Sequence, residues 1–319
     1  MALAGDTKDL RGVNVTVLGG SGFLGRHLAQ ELLARGARLK IASRRPERAF
    51  SLRPLANLGQ VQFIRCDVTR LESVSAAVAG AHAVVNLVGA FAGDLDALQG
   101  RGAGKIAAAA RDAGASAFVQ VSALGADAES RSEYARTKGE GETAVRAAFP
   151  NATILRPTTL FGPDDAFVNM FAGLIAAFPV LPVFGPTAKL QPLFVNDAAE
   201  AVAIALADPG RHGGKTYELA GPEVLTMLEL NQRIAKAQGR QRLFAELPDA
   251  VSGLIAALPG TPISSDQWML LKAGNVATSA ISGIAALGIA PHPLGLFLDR
   301  WMTRFRKHGR FGAKAQVTR

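Results

Sequence analysis

The chain has 319 residues, of which 49% are hydrophobic and 19% charged, and its mean hydropathy is +0.18. This excludes disorder and fibrous repeats and leaves material for two small domains or one large α/β domain with an appended lobe. One cysteine, Cys66, excludes a disulfide framework, and the five histidines show no ligand spacing, so no metal is expected and a reducing, cytosol-like compartment is the default.

The net charge is +9, and a net +6 of it falls between Pro293 and Arg319. A basic tail on a nearly neutral body implies a local anionic partner and not nucleic acid. At the other end, residues 1–12 hold no apolar run, and Asp6 and Asp9 argue against a transit peptide. Two long uncharged stretches, Ala166–Ala188 and Ala273–Leu298, are broken by prolines and polar residues. Neither reaches the roughly twenty apolar residues of a membrane span.

In chain order, strands are expected at Val13–Leu18, Arg38–Ala42, Gln62–Cys66, Ala83–Val88 and Ala117–Ser122. Helices are expected at Leu24–Arg35, Leu71–Val78, Leu98–Ala113 and Glu133–Ala148. The strands read as continuous apolar runs, the signature of a parallel sheet covered on both faces. Strand and helix alternating in this way give a doubly wound α/β sheet. After Asn151 the pattern loosens. Ala152–Leu155 and Leu193–Val195 read as further strands, and a smaller lobe over 158–319 is expected to return segments to the sheet near 193–197 and 216–220.

Three places carry chemistry. Gly19, Gly22 and Gly25 follow the first strand and open the first helix in the spacing G-x-x-G-x-x-G. Residues without Cβ let backbone N–H groups approach a pyrophosphate at a helix N-terminus. The second strand ends Ser43-Arg44-Arg45, where an NAD site usually carries an acidic residue. Arginine pairs with a ribose 2′-phosphate and Ser43 adds a hydroxyl, so NADP(H) is favoured over NAD(H). Asp67 is placed to accept from an adenine amino group, and Asn86 to Gly89, with Val88 between them, close the fourth strand near the cofactor's ribose.

The third place is Tyr134-Ala135-Arg136-Thr137-Lys138, twelve residues after Ser122. On a helix these two side chains share a face, and an ammonium near a phenol is expected to lower its pKa. That makes an acid/base for a carbonyl or carbinol, with Ser122 hydrogen-bonding the same oxygen.

In this order the residues resemble the extended or atypical short-chain dehydrogenase/reductases, an NAD(P)-binding Rossmann fold over 1–157. Gly162-Pro163-Asp164-Asp165, Gln191 to Asp197, Tyr217 to Pro222 and Arg304 to Phe311 narrow the likeness. They resemble the dehydrogenase-like accessory subunits of respiratory complex I, NADH:ubiquinone oxidoreductase (alpha-subcomplex subunit nine), over nearly the whole chain. That resemblance implies a tightly held NADPH outside the electron-transfer chain, in a structural subunit near the junction of the peripheral and membrane arms. Gly19, Ser21, Gly22, Phe23, Leu24 and Arg44 would hold the cofactor's phosphates, Asp67 the adenine, and Tyr134 and Lys138 the nicotinamide ribose. Gly25, Ser43, Arg45, Val68, Val88, Gly89, Ser122 and Pro157 complete the expected set. The short segment before the first strand implies a bacterial protein at the cytoplasmic face of the inner membrane, with other complex I subunits as partners.

A basic amphipathic helix is expected in Pro293–His308, with Leu294, Phe297, Leu298, Trp301, Met302 and Phe305 on one face and Arg300, Arg304 and Lys307 opposite. It would meet lipid, acidic partner subunits or its own lobe. The intact Ser122, Tyr134 and Lys138 leave open whether the site is vestigial. They equally suit a free NADPH-dependent reductase or epimerase acting on a small carbonyl or hydroxyl substrate. A redox-sensing regulator binding NADP(H) without chemistry is the third reading.

Overall fold

The structure, a computed structural model, describes residues 9–258 and 263–307. Strands β1 (Asn14–Leu18), β2 (Arg38–Ser43), β3 (Val61–Arg65), β4 (Ala83–Asn86), β5 (Ala117–Val121) and β6 (Thr153–Pro157) come first. Interleaved with them are helices α1 (Phe23–Ala34), α2 (Leu71–Val78), α3 (Leu95–Gln99), α4 (Arg101–Asp112) and α5 (Glu133–Ala148). Then follow β7 (Leu160–Phe161), α6 (Phe167–Ala177), β8 (Val180–Val183), β9 (Lys189–Leu190), β10 (Leu193–Phe194), α7 (Val195–Ala207), α8 (Pro209–His212) and β11 (Thr216–Leu219). Last come β12 (Leu225–Thr226), α9 (Met227–Ala237), β13 (Leu243–Glu246), α10 (Asp249–Ala256), α11 (Ser265–Ala273) and α12 (Gly295–Met302).

Seven strands form one parallel sheet in the order β3-β2-β1-β4-β5-β6-β11. The strand order reverses between β1 and β4, so their carboxyl ends open the crevice where doubly wound sheets bind ligands. Leu18 is level with Ala42 on one side and Asn86 on the other. The ends of β1, β2 and β4 therefore lie side by side.

Every residue of β4 and β5 is buried, which requires helical cover on both faces. On one face, Ile106 and Ala107 of α4, Val145 of α5 and Val74 of α2 pack with Leu18, Val84 and Phe118. The other face takes α1 and also α7, a segment from beyond residue 157. Accordingly, the first compact unit contains the chain to Pro157 together with Val195–Leu219 and Ala277–Ala290. The expected single boundary at 157/158 is corrected: the sheet needs its second layer and its seventh strand, and takes both from downstream. The strand expected near 216–220 is β11, which extends the sheet beside β6. That expected near 193–197 is not part of the sheet, because β10 pairs with β7 in the second unit and Val195 already begins α7.

The helix expected at Leu98–Ala113 is two helices. Asp94 caps α3 by accepting from Ala97 N–H at 2.9 Å, and Asp96 Oδ1 accepts Arg101 N–H at 2.9 Å across the break at Gly100. A Cβ on Gly102 would fall 2.0 Å from the Ala97 carbonyl oxygen, so the close turn demands glycine. Pro46–Leu55 forms a 3₁₀ stretch between β2 and β3.

The second unit is built on two-residue and four-residue strand pairs, β7 with β10, β9 with β12 and β8 with β13. Thr226 and Glu229 form a reciprocal capping box that starts α9. Phe161, Phe194, Phe297 and Trp301 make an aromatic cluster, the last two stacked at 5.0 Å. The amphipathic helix expected over Pro293–His308 is confined to α12 and a 3₁₀ turn at Thr303–Phe305. Leu294, Leu298 and Met302 are buried, and α12 packs against α9. Arg304 donates to the Pro163 carbonyl at 2.7 Å and to Asn169 Oδ1, and Arg306 donates to the Ala237 carbonyl. The described tail is thus fastened to its own unit. His308 to Arg319, including the end of the Arg304–Phe311 stretch, lie outside the described residues. Among the described residues, no helix is long and apolar enough to cross a membrane.

Candidate functional site

The glycine turn joins the end of β1 to α1. Gly19 takes φ +77°, donates to the Ala42 carbonyl at 2.9 Å, and accepts Gly22 N–H at 3.0 Å. A Cβ on Gly25 would lie 2.5 Å from the Gly20 oxygen, and one on Gly20 would lie 2.9 Å from the Val17 oxygen. The first turn of α1 therefore nests directly on the strand end. This helix has no side-chain cap at Gly22 and no acidic residue in its first turn. Its leading N–H groups keep their capacity for an anion, assisted by the helix dipole. Ser21, Phe23 and Leu24 are half-buried around them.

At the end of β2, Ser43 is buried and its Oγ has no hydrogen-bond partner, while Arg44 and Arg45 are exposed beyond it. A buried hydroxyl without a partner costs free energy unless a ligand supplies one. Asp67 follows β3, and its Oδ1 accepts Thr69 Oγ1 at 2.8 Å and Thr69 N–H at 3.1 Å. Those two bonds hold its carboxyl below the usual carboxylate range, with Arg70 and Arg44 adding to the effect. Asp67 thus stays ionised as an acceptor within the field of Arg44. Val68 beside it packs against the core.

At the end of β4, Asn86 is fully buried: its Nδ2 donates to Gln120 Oε1 at 2.9 Å and its Oδ1 accepts Val88 N–H at 3.1 Å. It shapes the turn from within. The Val88 carbonyl accepts Lys138 Nζ at 3.2 Å, and a Cβ on Gly89 would sit 3.0 Å from that ammonium. Glycine at 89 makes room for the lysine.

Ser132 caps α5 by accepting Ala135 N–H at 3.2 Å, which starts the helix just before Tyr134. Lys138 is 3% exposed, and burial pushes its pKa down to about 8, against a smaller upward pull from Glu142 one turn further along. Glu142 is itself held by Arg156, whose Nε and Nη2 donate to its two carboxylate oxygens at 2.9 and 2.7 Å. Tyr134 is pushed up to about 12 by burial, so the expected lowering by the ammonium is corrected. Lys138 Nζ lies 5.9 Å from the centre of the tyrosine ring, and loss of solvent outweighs its charge. At neutral pH Tyr134 is a proton donor. Ser122 Oγ, at the end of β5, is buried without a partner. The Pro157 carbonyl accepts Leu124 N–H at 3.0 Å and so fixes the loop that follows Ser122.

The first half of the chain matches the NAD(P)H-binding family over residues 19–168, and residues 125–259 match the RmlD substrate binding domain family. The mitochondrial NADH dehydrogenase (ubiquinone) 1 alpha subcomplex subunit 9 of Arabidopsis thaliana is 32% identical, across 96% of this chain and 81% of its own length. The chain belongs to the complex I subunit 9 family. That family sits in the extended short-chain dehydrogenase/reductase superfamily, and the seven-stranded sheet is its Rossmann fold. A ceramide reductase of Caulobacter vibrioides is also 32% identical, across 76% of this chain and 75% of its own. Among solved structures, a Citrobacter sp. triphenylmethane reductase shares the fold with a TM-score of 0.74 and 22% identity, covering 91% of this chain and 99% of its own. A second structure of that reductase is complexed with NADP(H).

In this member of the subunit 9 family, the sequence names the glycine turn, the β2 end and the Tyr134/Lys138 pair as candidates, and the structure places the glycine turn beside the β2 end. It misses three supporting residues. Phe91 stacks on Tyr134 at 4.3 Å, Gln99 bridges Ala90 to Thr137, and Glu142 stands one helical turn beyond Lys138. Only Glu142 carries a signal in the sequence, as the next i+4 position on the same helix face.

Proposed function

We propose that this protein is an accessory subunit of a bacterial respiratory complex I that holds an NADPH as a structural cofactor. Its place would be peripheral, on the cytoplasmic face of the inner membrane, near the junction of the two arms. The observation that carries this reading is the 32% identity to a subunit 9 protein across 96% of the chain.

The residues fit the cofactor. The uncapped start of α1 and the cradle at Gly19, Gly20 and Gly25 suit a pyrophosphate. Ser43 with its unpartnered hydroxyl, and the exposed Arg44 and Arg45 with no carboxylate among them, suit a 2′-phosphate and favour NADPH over NADH. Asp67 and Val68 would face the adenine. Ser122, Tyr134 and Lys138 would hold the nicotinamide ribose. When bound, the reduced nicotinamide supplies a hydride. Tyr134 holds a proton at its hydroxyl and Lys138 holds the Val88 carbonyl, so both side chains serve first to order the site.

The test is to isolate complex I from solubilised membranes and look for the chain. Co-purification with NADPH at one per chain is expected. Recovery of the chain only in the soluble fraction would overturn the assignment.

The second reading, a free NADPH-dependent reductase, is favoured by the intact Ser122, Tyr134 and Lys138 and by the ceramide reductase among the relatives. It requires that bound NADPH be oxidised by some carbonyl substrate and that Tyr134→Phe abolish this. NADPH that stays bound and unreacted across a carbonyl panel would remove its support.

A further inference from the structure

The loop leaving β4 is tied down residue by residue until it reaches Phe91. Leu87 N–H donates to the Leu18 carbonyl at 3.0 Å, Val88 N–H to Asn86 Oδ1 at 3.1 Å, and Ala90 N–H to Gln99 Oε1 at 3.1 Å. Two of its links reach α5 within the turn that carries the reacting pair. Lys138 Nζ binds the Val88 carbonyl, and Gln99 Nε2 donates to Thr137 Oγ1 at 2.9 Å. Gln99 is fully buried, so this bracket is rigid.

Phe91 is the first residue past the bracket. It is 61% exposed, yet its ring lies against Tyr134 with centroids 4.3 Å apart and planes 13° apart. An exposed phenylalanine gains little from burial of its own surface; here its effect falls on the tyrosine it shields. Ala92 and Gly93 are also exposed, and Gly93 takes φ +90° with nothing within 4 Å of a would-be Cβ. Phe91, Ala92 and Gly93 thus form a short exposed span between two anchors, Ala90 on Gln99 and Asp94 at the cap of α3, and the left-handed Gly93 is where that span can change direction.

We infer that Phe91 is a cover seated on Tyr134, which excludes carbonyl and hydroxyl substrates from that end of the site until the ring swings away. The inference rests on the short-chain dehydrogenase/reductase reading of Tyr134, and it supplies a reason why a chain with an intact Ser122, Tyr134 and Lys138 would hold a cofactor without consuming it. Phe91 is here a specificity-determining residue: it touches the phenol ring and takes no proton.

The test begins with cofactor-free protein and a ring-directed probe. Tetranitromethane nitrates an accessible tyrosine, and peptide mass spectrometry separates Tyr134 from Tyr217, the only other tyrosine. Phe91→Ala should raise the nitration rate of Tyr134 about tenfold, with Tyr217 unchanged as the internal reference, and Phe91→Trp should keep the protection. The same variants are then loaded with NADPH and offered small aldehydes. Phe91→Ala should oxidise its NADPH at least several-fold faster than the parent, at unchanged NADPH affinity. Equal nitration of parent and Phe91→Ala overturns the cover, as does slower NADPH oxidation by Phe91→Ala, which would make Phe91 a platform for substrate. Failure of every version to bind NADPH would instead remove the cofactor reading, while the nitration contrast would still decide whether Tyr134 is covered.

Discussion

The two ends of the candidate site are built on opposite terms. At the glycine turn the groups meant for the ligand are unused: α1 has no side-chain cap, Ser43 Oγ has no partner, and Arg44 and Arg45 are exposed. At the Tyr134 end Ser122 Oγ is likewise without a partner, but the larger side chains are already engaged. Lys138 is buried on the Val88 carbonyl, Tyr134 is stacked under Phe91, and Glu142 is gripped by Arg156. The contrast shows that the groups proposed for the dinucleotide's phosphates are left open, whereas Tyr134 and Lys138 also hold the fold together.

If that contrast is right, damage at the two ends has different consequences. Gly25→Ala sets a methyl group 2.5 Å from the Gly20 oxygen, where neither backbone can give way. It should lower stability by about 3 kcal/mol and abolish measurable NADPH binding, read by thermal melts and fluorescence titration. A variant that still bound NADPH would show that the cradle is not the anchor.

Lys138→Met acts on folding before chemistry. With the Lys138 pKa lowered from 10.5 to about 8, the folded protein binds fewer protons than the unfolded chain between those values. Stability should therefore rise with pH across that window, by up to about 3 kcal/mol, and Lys138→Met should flatten the rise. Tyr134 works in the other direction. Its pKa is raised from 10.0 to about 12, so its contribution is lost as pH climbs through that range. Urea melts at successive pH values, with Tyr134→Phe alongside, separate the two.

Arg44→Ala should leave stability unchanged, since the side chain is exposed. It should weaken NADPH about 10- to 100-fold and NADH hardly at all, the value of a charge-assisted contact to a 2′-phosphate. Equal losses for both cofactors would place Arg44 elsewhere on the ligand.

Much of this was legible in the sequence because it depends on local rules. The five expected strands lie within a residue or two of β1 to β5, since continuous apolar runs between glycine-marked turns leave little choice. Glu133–Ala148 is α5 to the residue, bounded by Ser132 at its cap and Pro150 beyond its end. What stayed hidden depends on contacts distant in sequence. The return of a strand near 216–220 was expected, but that the helix Val195–Ala207 covers the first sheet follows from β4 and β5 being buried on both faces, not from any motif near residue 195. The raised pKa of Tyr134 comes from burial, while the spacing to Lys138 promised the reverse. Phe91 had no visible role because a single phenylalanine in a loop has no period to betray it. For the tail the sequence left three coverings open: lipid, acidic partner subunits or its own lobe. Its apolar face is real: Leu294, Leu298 and Met302 are buried, and α12 packs against α9 of the same unit.

The proposed function requires a 2′-phosphorylated nicotinamide dinucleotide at the junction of β1 and α1. Calorimetric titration of the purified full chain with NADPH and with NADH tests it most directly. One NADPH bound per chain, at least tenfold more tightly than NADH, is the expected result. No heat of binding with either, or equal affinity for the two, would contradict it.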